Sequence, residues 1–119
     1  MQIDTTVLTQ VVAAIEAGDH FLCISHVGPD GDAVGSLLAM GEMLQRLDKD
    51  ATLALQDPVP EGLRFLPDAK EIVDGTGVAD HYDCILVLDA SSADRMGNVF
   101  RPDAHDAIPM AVIDHHVTN

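Results

Sequence analysis

Residues 21–38 read FLCISHVGPDGDAVGSLL, and this stretch decides the fold class. Its first five residues form an apolar run without polar alternation, which predicts a strand covered on both faces. A loop dense in turn-forming residues follows. A helix is then predicted to begin near Ala33, because apolar residues recur at helical spacing from there to Leu47. A buried strand, a tight loop and a helix in this order are the unit from which parallel α/β sheets are built.

The rest of the chain repeats this alternation. A first helix is expected to begin at Thr5 or Thr6 and to end at Gly18. Further strands are expected at residues 51–55, 72–73, 82–89 and 108–113. Residues 56–67 hold three of the six prolines and are expected to be irregular, with one short helical turn at most, and residues 90–99 form a loop with helical tendency. We therefore expect a single α/β domain with a mostly parallel sheet and helices on both faces, which binds ligands at the carboxyl ends of its strands.

The charge of the chain limits the partners it can bind. Six Lys and Arg residues stand against twenty Asp and Glu, which gives a net charge of −14, and no basic residue precedes Arg46. Such a surface repels a long polyanion, because non-specific nucleic-acid affinity comes from basic side chains that neutralise phosphates. We therefore expect no long duplex nucleic acid as a partner. A nucleic-acid substrate must be short, or be held by something outside this chain.

Two further features bear on where the chain is found. It has neither a run of 18 apolar residues nor a basic segment followed by an apolar stretch at its start, so we expect no membrane association and a cytoplasmic location. Cys23 and Cys84 each lie inside an apolar run and are not part of a CxxC pair. Both are expected to be buried thiols in the core.

The first cluster of candidate functional residues comprises His26, Asp30 and Asp32, on a loop bent by glycine and proline. One imidazole and two carboxylates within seven residues can converge on a divalent cation such as Mn²⁺, Mg²⁺ or Zn²⁺. The structural alternative is that Asp32 is only the N-cap of the following helix and Asp30 only a turn residue.

Two more polar clusters follow apolar strands. Asp89 closes the strand at residues 82–89, where an acid is costly unless it is exposed or paired. Asp114, His115 and His116 follow the last strand, and adjacent histidines on an extended segment point to opposite faces. Because three polar clusters lie at three strand ends, we expect them to meet at one edge of the sheet and to hold two metal ions for phosphoryl transfer.

A serine hydrolase is the competing chemistry, with Ser25, Ser91 or Ser92 as the nucleophile. None of these serines lies in a G-x-S-x-G turn, which argues against a Ser/His/Asp triad.

Three segments resemble the motifs of the DHH phosphoesterases, in the same order and at similar spacing. They are HVGPDGDAVGS at residues 26–36, VLDAS at residues 87–91 and IDHHVTN at residues 113–119. The resemblance implies two metal ions, usually Mn²⁺, with Mg²⁺ as the alternative. It implies that His26, Asp30 and Asp89 hold one ion, and that Asp32, Asp89 and His115 hold the other. His116 would then contact the scissile phosphate, and Asp114 would orient the histidine pair.

Within the family, the motifs most resemble the NrnA-like branch, which degrades very short oligoribonucleotides and removes the 3′-phosphate of adenosine 3′,5′-bisphosphate. RecJ-type exonucleases, cyclic dinucleotide phosphodiesterases and family II pyrophosphatases share the metal site and remain alternatives. The expected partner is therefore a small nucleotide or short single-stranded RNA. A non-catalytic metal- or nucleotide-binding module and a plain α/β domain are the alternatives outside catalysis.

The resemblance covers residues 1–119 as the N-terminal part of a DHH domain. The family's fourth motif and its C-terminal substrate-binding domain find no counterpart here, so we expect little or no turnover by this chain alone. An incomplete sheet would expose apolar surface, which favours aggregation or a homodimer.

Overall fold

The apolar runs of the sequence become the strands of one parallel sheet. The computed structural model describes residues 5–89 and 96–113, and side chains from residue 9 onward. The strands are β1 (His20–Ile24), β2 (Asp50–Ala54), β3 (Cys84–Leu88) and β4 (Met110–Ile113), and the helices are α1 (Thr5–Ala17), α2 (Gly31–Arg46) and α3 (Pro102–His105). Short 3₁₀ turns lie at Glu61–Leu63, Ala69–Glu71, Gly75–Gly77 and Gly97–Val99. The order of the strands across the sheet is β2-β1-β3-β4, and every pair is parallel.

The central strands β1 and β3 are covered on both faces, as their unbroken apolar sequences predict. Successive side chains of a strand point to opposite faces. Phe21 and Cys23 therefore enter one hydrophobic cluster, and Leu22 and Ile24 enter the other. All four are fully buried, so β1 contributes equally to both layers of the core.

The two long helices pack on the same face of the sheet. Ile15 of α1 and Leu37 of α2 both belong to the cluster that contains Phe21. The opposite face is covered by short turns and by loop residues such as Tyr82, Met96 and Val99. The predicted parallel α/β fold is confirmed. Among the described residues, the helix on the second face is the short α3, with four residues.

The strand order explains why the two faces of the sheet are covered differently, and it indicates where a ligand would bind. The connection from β1 leads outward to β2, whereas the connection from β3 leads in the opposite direction to β4. Because parallel crossovers are right-handed, two connections that run in opposite directions lie on opposite faces. The sheet therefore has a topological switch point between β1 and β3. In open α/β sheets, ligands bind beyond the carboxyl ends of the two strands at such a point.

The region between β2 and β3 departs most from the sequence-based expectation. The strand predicted at residues 72–73 is reduced to a single bridge between Val73 and Ala54, although the Val73 amide and carbonyl both form hydrogen bonds with the neighbouring strand. The 3₁₀ turns on either side of Val73 prevent a longer pairing. The short turn predicted within residues 56–67 is present at Glu61–Leu63.

Cys23 and Cys84 are both buried free thiols, as predicted. Burial raises the pKa of the Cys23 thiol to about 12, and it also raises the pKa of Cys84. In the described part of the chain, no helix combines the length and apolar character needed to cross a bilayer.

Candidate metal centre

Three side chains from the ends of two strands and the start of a helix converge at the switch point. The Nε2 atom of His26 lies 3.4 Å from Oδ2 of Asp89 and 3.9 Å from Oδ1 of Asp30. One ligand atom from each of the three residues lies within 4.8 Å of the other two. His26 and Asp89 are only 7% and 3% exposed, whereas Asp30 faces solvent. Among the described residues, this is the one group of three potential ligands that meets so closely.

The ring of His26 is oriented by its own backbone. Its Nδ1 lies 2.8 Å from the carbonyl oxygen of Val27. A carbonyl oxygen only accepts hydrogen bonds, so this contact places a ring proton on Nδ1. The other ring nitrogen, Nε2, is thereby turned toward the two carboxylates, where a cation would bind.

Asp30 is held in place because it caps α2. Its backbone is extended (φ −111°, ψ −171°), and its Oδ1 accepts a hydrogen bond from the amide of Ala33 at 3.0 Å. This hydrogen bond is the main cause that lowers the pKa of Asp30, to which the nearby His26 adds. The carboxylate therefore stays ionised and is aimed by the helix that it starts.

The structural alternative stated for this loop was wrong in its assignment of the cap. Asp30, and not Asp32, is the N-cap, and Asp32 lies in the first turn of α2. The helix begins at Gly31, two residues earlier than predicted. The extended backbone of Asp30 lets its side chain accept a hydrogen bond from the amide of Ala33, three residues further along the chain. Asp32 is exposed and is not part of the group that converges on His26.

Asp89 has a strained backbone at the end of β3. Its φ of +57° lies in the left-handed region, which costs on the order of 1 kcal/mol for a residue other than glycine. The conformation is held by a 2.9 Å hydrogen bond from the Asp89 amide to the carbonyl of Ile113, the last residue of β4. Its carboxylate is thereby turned inward, beside the imidazole of His26, at a place where an acid is expensive to bury.

Ser25 links the two strand ends that carry His26 and Asp89. Its hydroxyl is fully buried and donates a hydrogen bond to the carbonyl of Leu88 at 2.6 Å. From the sequence, Ser25 is a candidate only as a nucleophile, but in the structure its proton is engaged by the Leu88 carbonyl. A small polar residue at the end of a buried strand, directly before His26, was the sequence signal for this linking role.

The remaining predicted residues are Asp114, His115 and His116, which lie outside the described residues, as do Ser91 and Ser92. Their place in the site stays a prediction.

The side chains that converge here fit a hard divalent cation. They offer one imidazole nitrogen and carboxylate oxygens, with no thiolate, which suits Mn²⁺ or Mg²⁺ and is compatible with Zn²⁺. His26 and Asp89 come from the buried side and Asp30 from the solvent side. A cation at this point would neutralise the buried charge of Asp89 and remain open to water or to a substrate.

Known proteins resemble this chain in sequence. Residues 20–119 match the model of the family described as "DHH family, N-terminal domain". The chain is 36% identical over 112 residues to the bifunctional oligoribonuclease and PAP phosphatase NrnA of Thermus thermophilus. That alignment covers 94% of this chain and 32% of the Thermus protein.

A solved structure shares the fold. The chain is similar to the crystal structure of an exopolyphosphatase-related protein from Bacteroides fragilis, with a TM-score of 0.87 and 28% sequence identity. The match covers 98% of this chain and 36% of that protein. The chain thus spans about a third of the length of each of these two proteins.

Proposed function

Because this chain belongs to the DHH family, we propose that it forms the metal-binding part of a phosphoesterase active site. The observation that carries the proposal is the convergence of His26, Asp30 and Asp89 at the switch point of a parallel sheet. An imidazole that turns Nε2 toward two carboxylates is a metal-binding arrangement that the needs of folding alone do not explain.

The proposed cofactors are two divalent ions, Mn²⁺ in the first place and Mg²⁺ in the second. His26, Asp30 and Asp89 would hold one ion. Asp32 and His115 would hold the other, and Asp89 would contribute to both. When bound, such a pair supplies Lewis acidity at phosphate oxygens and lowers the pKa of water.

The chain's own residues position these charges. Asp89 approaches from the buried side, and its backbone is fixed by Ile113, so its carboxylate has little freedom to turn away. Asp30 is kept ionised by the Ala33 amide. We assign His116 to contact with the scissile phosphate and Asp114 to the orientation of the histidine pair.

The proposed reaction is hydrolysis of a phosphate ester. The oxygen of water bonds to phosphorus, the P–O bond to the leaving alcohol breaks, and the alcohol oxygen takes up a proton. The proposed substrates are short oligoribonucleotides and adenosine 3′,5′-bisphosphate, in keeping with the name of the Thermus relative. The charge of −14 supports a small substrate, since a long polyanion would be repelled.

The experiment is a hydrolysis assay with Mn²⁺ and adenosine 3′,5′-bisphosphate. It uses the chain alone and the chain joined to the remaining two thirds of the Thermus relative. Phosphate release by the fusion, abolished by Asp89→Asn and kept by Asp106→Asn on the exposed end of α3, is the expected result. If the fusion releases no phosphate, the bisphosphate substrate is wrong, and dinucleotides, cyclic dinucleotides and pyrophosphate are the next substrates.

A non-catalytic metal-binding module is the alternative from another functional class. It would bind Mn²⁺ through the same three residues but hydrolyse none of these substrates in the fusion.

The proposal also includes a cytoplasmic location and a homodimer, for which the exposed apolar side chains of β4 offer a surface.

A further inference from the structure

The peptide unit between Val27 and Gly28 is held from both sides. Its carbonyl oxygen accepts the hydrogen bond from Nδ1 of His26 at 2.8 Å. Its N–H donates to Oδ2 of Asp57 at 2.7 Å. Asp57 lies on the loop after β2, 29 residues further along the chain, so a side chain from another strand end fixes the peptide that orients a metal ligand.

We infer that Asp57 is a positioning residue for the metal centre, which acts through the Val27–Gly28 peptide to fix the tautomer and orientation of His26. The inference rests on the proposed function, because it concerns the same site. The loop after β2 then supports metal binding without supplying a metal ligand.

The charge of Asp57 strengthens both hydrogen bonds. A carboxylate accepts an amide proton about twice as strongly as a neutral group does. An amide whose N–H is engaged in this way becomes polarised, and its carbonyl oxygen accepts a hydrogen bond more strongly. A proton on Nδ1 of His26 is therefore favoured, and Nε2 is kept toward Asp30 and Asp89.

The backbone at Gly28 is shaped for this contact. Gly28 has a φ of +61°, a left-handed conformation that costs glycine little, and open space surrounds the position where a Cβ would lie. Packing therefore does not require a glycine here. The turn itself requires it, because it directs the Gly28 amide toward Asp57.

The loop that carries Asp57 is itself anchored. The side-chain oxygen of Gln56 accepts a hydrogen bond from the amide of Asn98 at 2.9 Å. Gly97 (φ +66°) packs so closely that a Cβ there would collide with Gln56 and press on Val27. The loops after β1, β2 and β3 are thus tied together, and Asp57 is held in place by its neighbour.

Sequence analysis missed Asp57 because it lies among the prolines of an irregular segment. The signal was nonetheless present. Asp57 is the first acid after β2. In the same way, Asp30 and Asp89 are the first acids after β1 and β3. The carboxyl ends of these three parallel strands lie on the same side of the sheet.

The first test measures the tautomer of His26 in the metal-free chain. Histidine labelled with ¹⁵N gives correlations for the six histidine rings, and His26→Gln assigns the ring of interest. We expect Nδ1 to carry a proton in the wild type, and part of the population to lose this proton in Asp57→Ala. A bare Nδ1 in the wild type would overturn the inference, whether or not metal binds.

The second test measures Mn²⁺ affinity in the same variants. Asp57→Ala should weaken binding about tenfold, the usual cost of losing a partner that orients a metal ligand. Asp57→Asn keeps an acceptor oxygen and should weaken binding about threefold. Glu61→Ala removes an equal charge from an exposed position on the same segment and should leave the affinity within about twofold of the wild type.

The outcomes separate the two proposals. If Asp57→Ala and Glu61→Ala bind Mn²⁺ alike and His26 keeps its tautomer, the positioning role is wrong while the metal centre stands. If the wild type binds no Mn²⁺, the proposed function fails, and the tautomer measurement still decides the link between Asp57 and His26. If Asp57→Ala loses its fold by circular dichroism, the comparison of Asp57→Asn with Glu61→Gln decides instead.

Discussion

At the scale of single residues, Ser25 shows how the two strand ends of the site are kept together. Its buried hydroxyl bonds to the carbonyl that precedes Asp89, while the next residue, His26, carries the imidazole. The distance between His26 and Asp89 therefore depends on a side chain that is itself no metal ligand. A buried polar group that loses its partner costs about 1–3 kcal/mol.

We predict that Ser25→Ala lowers the free energy of unfolding by about 1–2 kcal/mol, because it leaves the Leu88 carbonyl without this donor. Urea denaturation of the metal-free chain measures the change. Ser36→Ala, on the half-buried side of α2, is the matched control and should change stability by less than about 0.5 kcal/mol. Equal effects of the two variants would contradict the linking role of Ser25.

The buried thiols give a prediction with a defined pH range. The pKa of Cys23 is raised from 9.0 to about 12 by burial, so the unfolded chain loses this proton at lower pH than the folded chain does. The stabilisation is fully present below about pH 9 and is lost as the pH rises toward 12. At pH 8, a thiol reagent should label neither cysteine in the folded chain and both in urea. Rapid labelling without denaturant would show that the core around β1 and β3 opens.

At the scale of elements, the amino ends of β1 and β3 are joined by one carboxylate. Asp83 accepts hydrogen bonds from the amides of Asp19 and His20 at 2.8 and 3.0 Å. These two hydrogen bonds are the main causes that lower the pKa of Asp83. The folded state therefore binds this proton less readily than the unfolded state does, and the resulting stability is present at neutral pH and is lost as the pH falls through the lowered pKa.

We predict that Asp83→Asn makes stability less dependent on pH on the acid side. Urea midpoints measured between pH 5 and pH 2 should fall less steeply in the variant than in the wild type. The variant should also be less stable at pH 7, because a neutral amide accepts these hydrogen bonds more weakly. Parallel curves for the two proteins would show that Asp83 does not contribute to the acid response.

The strands and helices show which parts of the fold could be predicted from the sequence. Strands β1 and β3 follow from unbroken apolar runs, and α2 follows from apolar residues at helical spacing, because burial dictates both patterns. The choice between Asp30 and Asp32 as the cap did not follow, since either carboxylate can start a helix and only the backbone conformation decides. Residues 56–80 were hardest to predict, because short turns and single hydrogen bonds determine their path.

At the scale of the whole molecule, the chain combines a strong negative charge with an apolar edge. Met110, Val112 and Ile113 of β4 are 38–45% exposed, and β4 lies at the edge of the sheet formed by the described residues. Exposed apolar edge strands favour association, whereas a net charge of −14 opposes it through repulsion that salt screens. Self-association should therefore increase as the salt concentration rises.

We predict that Val112→Lys reduces this salt-dependent association, because a lysine on an edge strand discourages pairing. Sedimentation velocity at low and high salt measures it. Val12→Lys on α1 is the matched control, since Val12 is also 45% exposed and the charge change is equal. Similar reductions in both variants would assign the effect to net charge and not to the edge of the sheet.

At this scale the approach of Asp89 to His26 and Asp30 was predictable, although several neighbouring contacts were not. Three acidic clusters after apolar strands indicated one edge of a parallel sheet, and the strand order places β1 beside β3 at that edge. The contact between Asp57 and Gly28 joins residues 29 positions apart. The sequence places Asp57 directly after β2, but it does not specify that Asp57 accepts a hydrogen bond from Gly28.

The most direct measurement is Mn²⁺ binding to the chain itself, followed by loss of the electron paramagnetic resonance signal of the free ion. We predict saturable binding in the wild type, binding weakened at least about tenfold in Asp89→Asn, and unchanged binding in Asp106→Asn. Equal binding by all three proteins, or none by the wild type, would contradict the claim that His26, Asp30 and Asp89 form a metal centre.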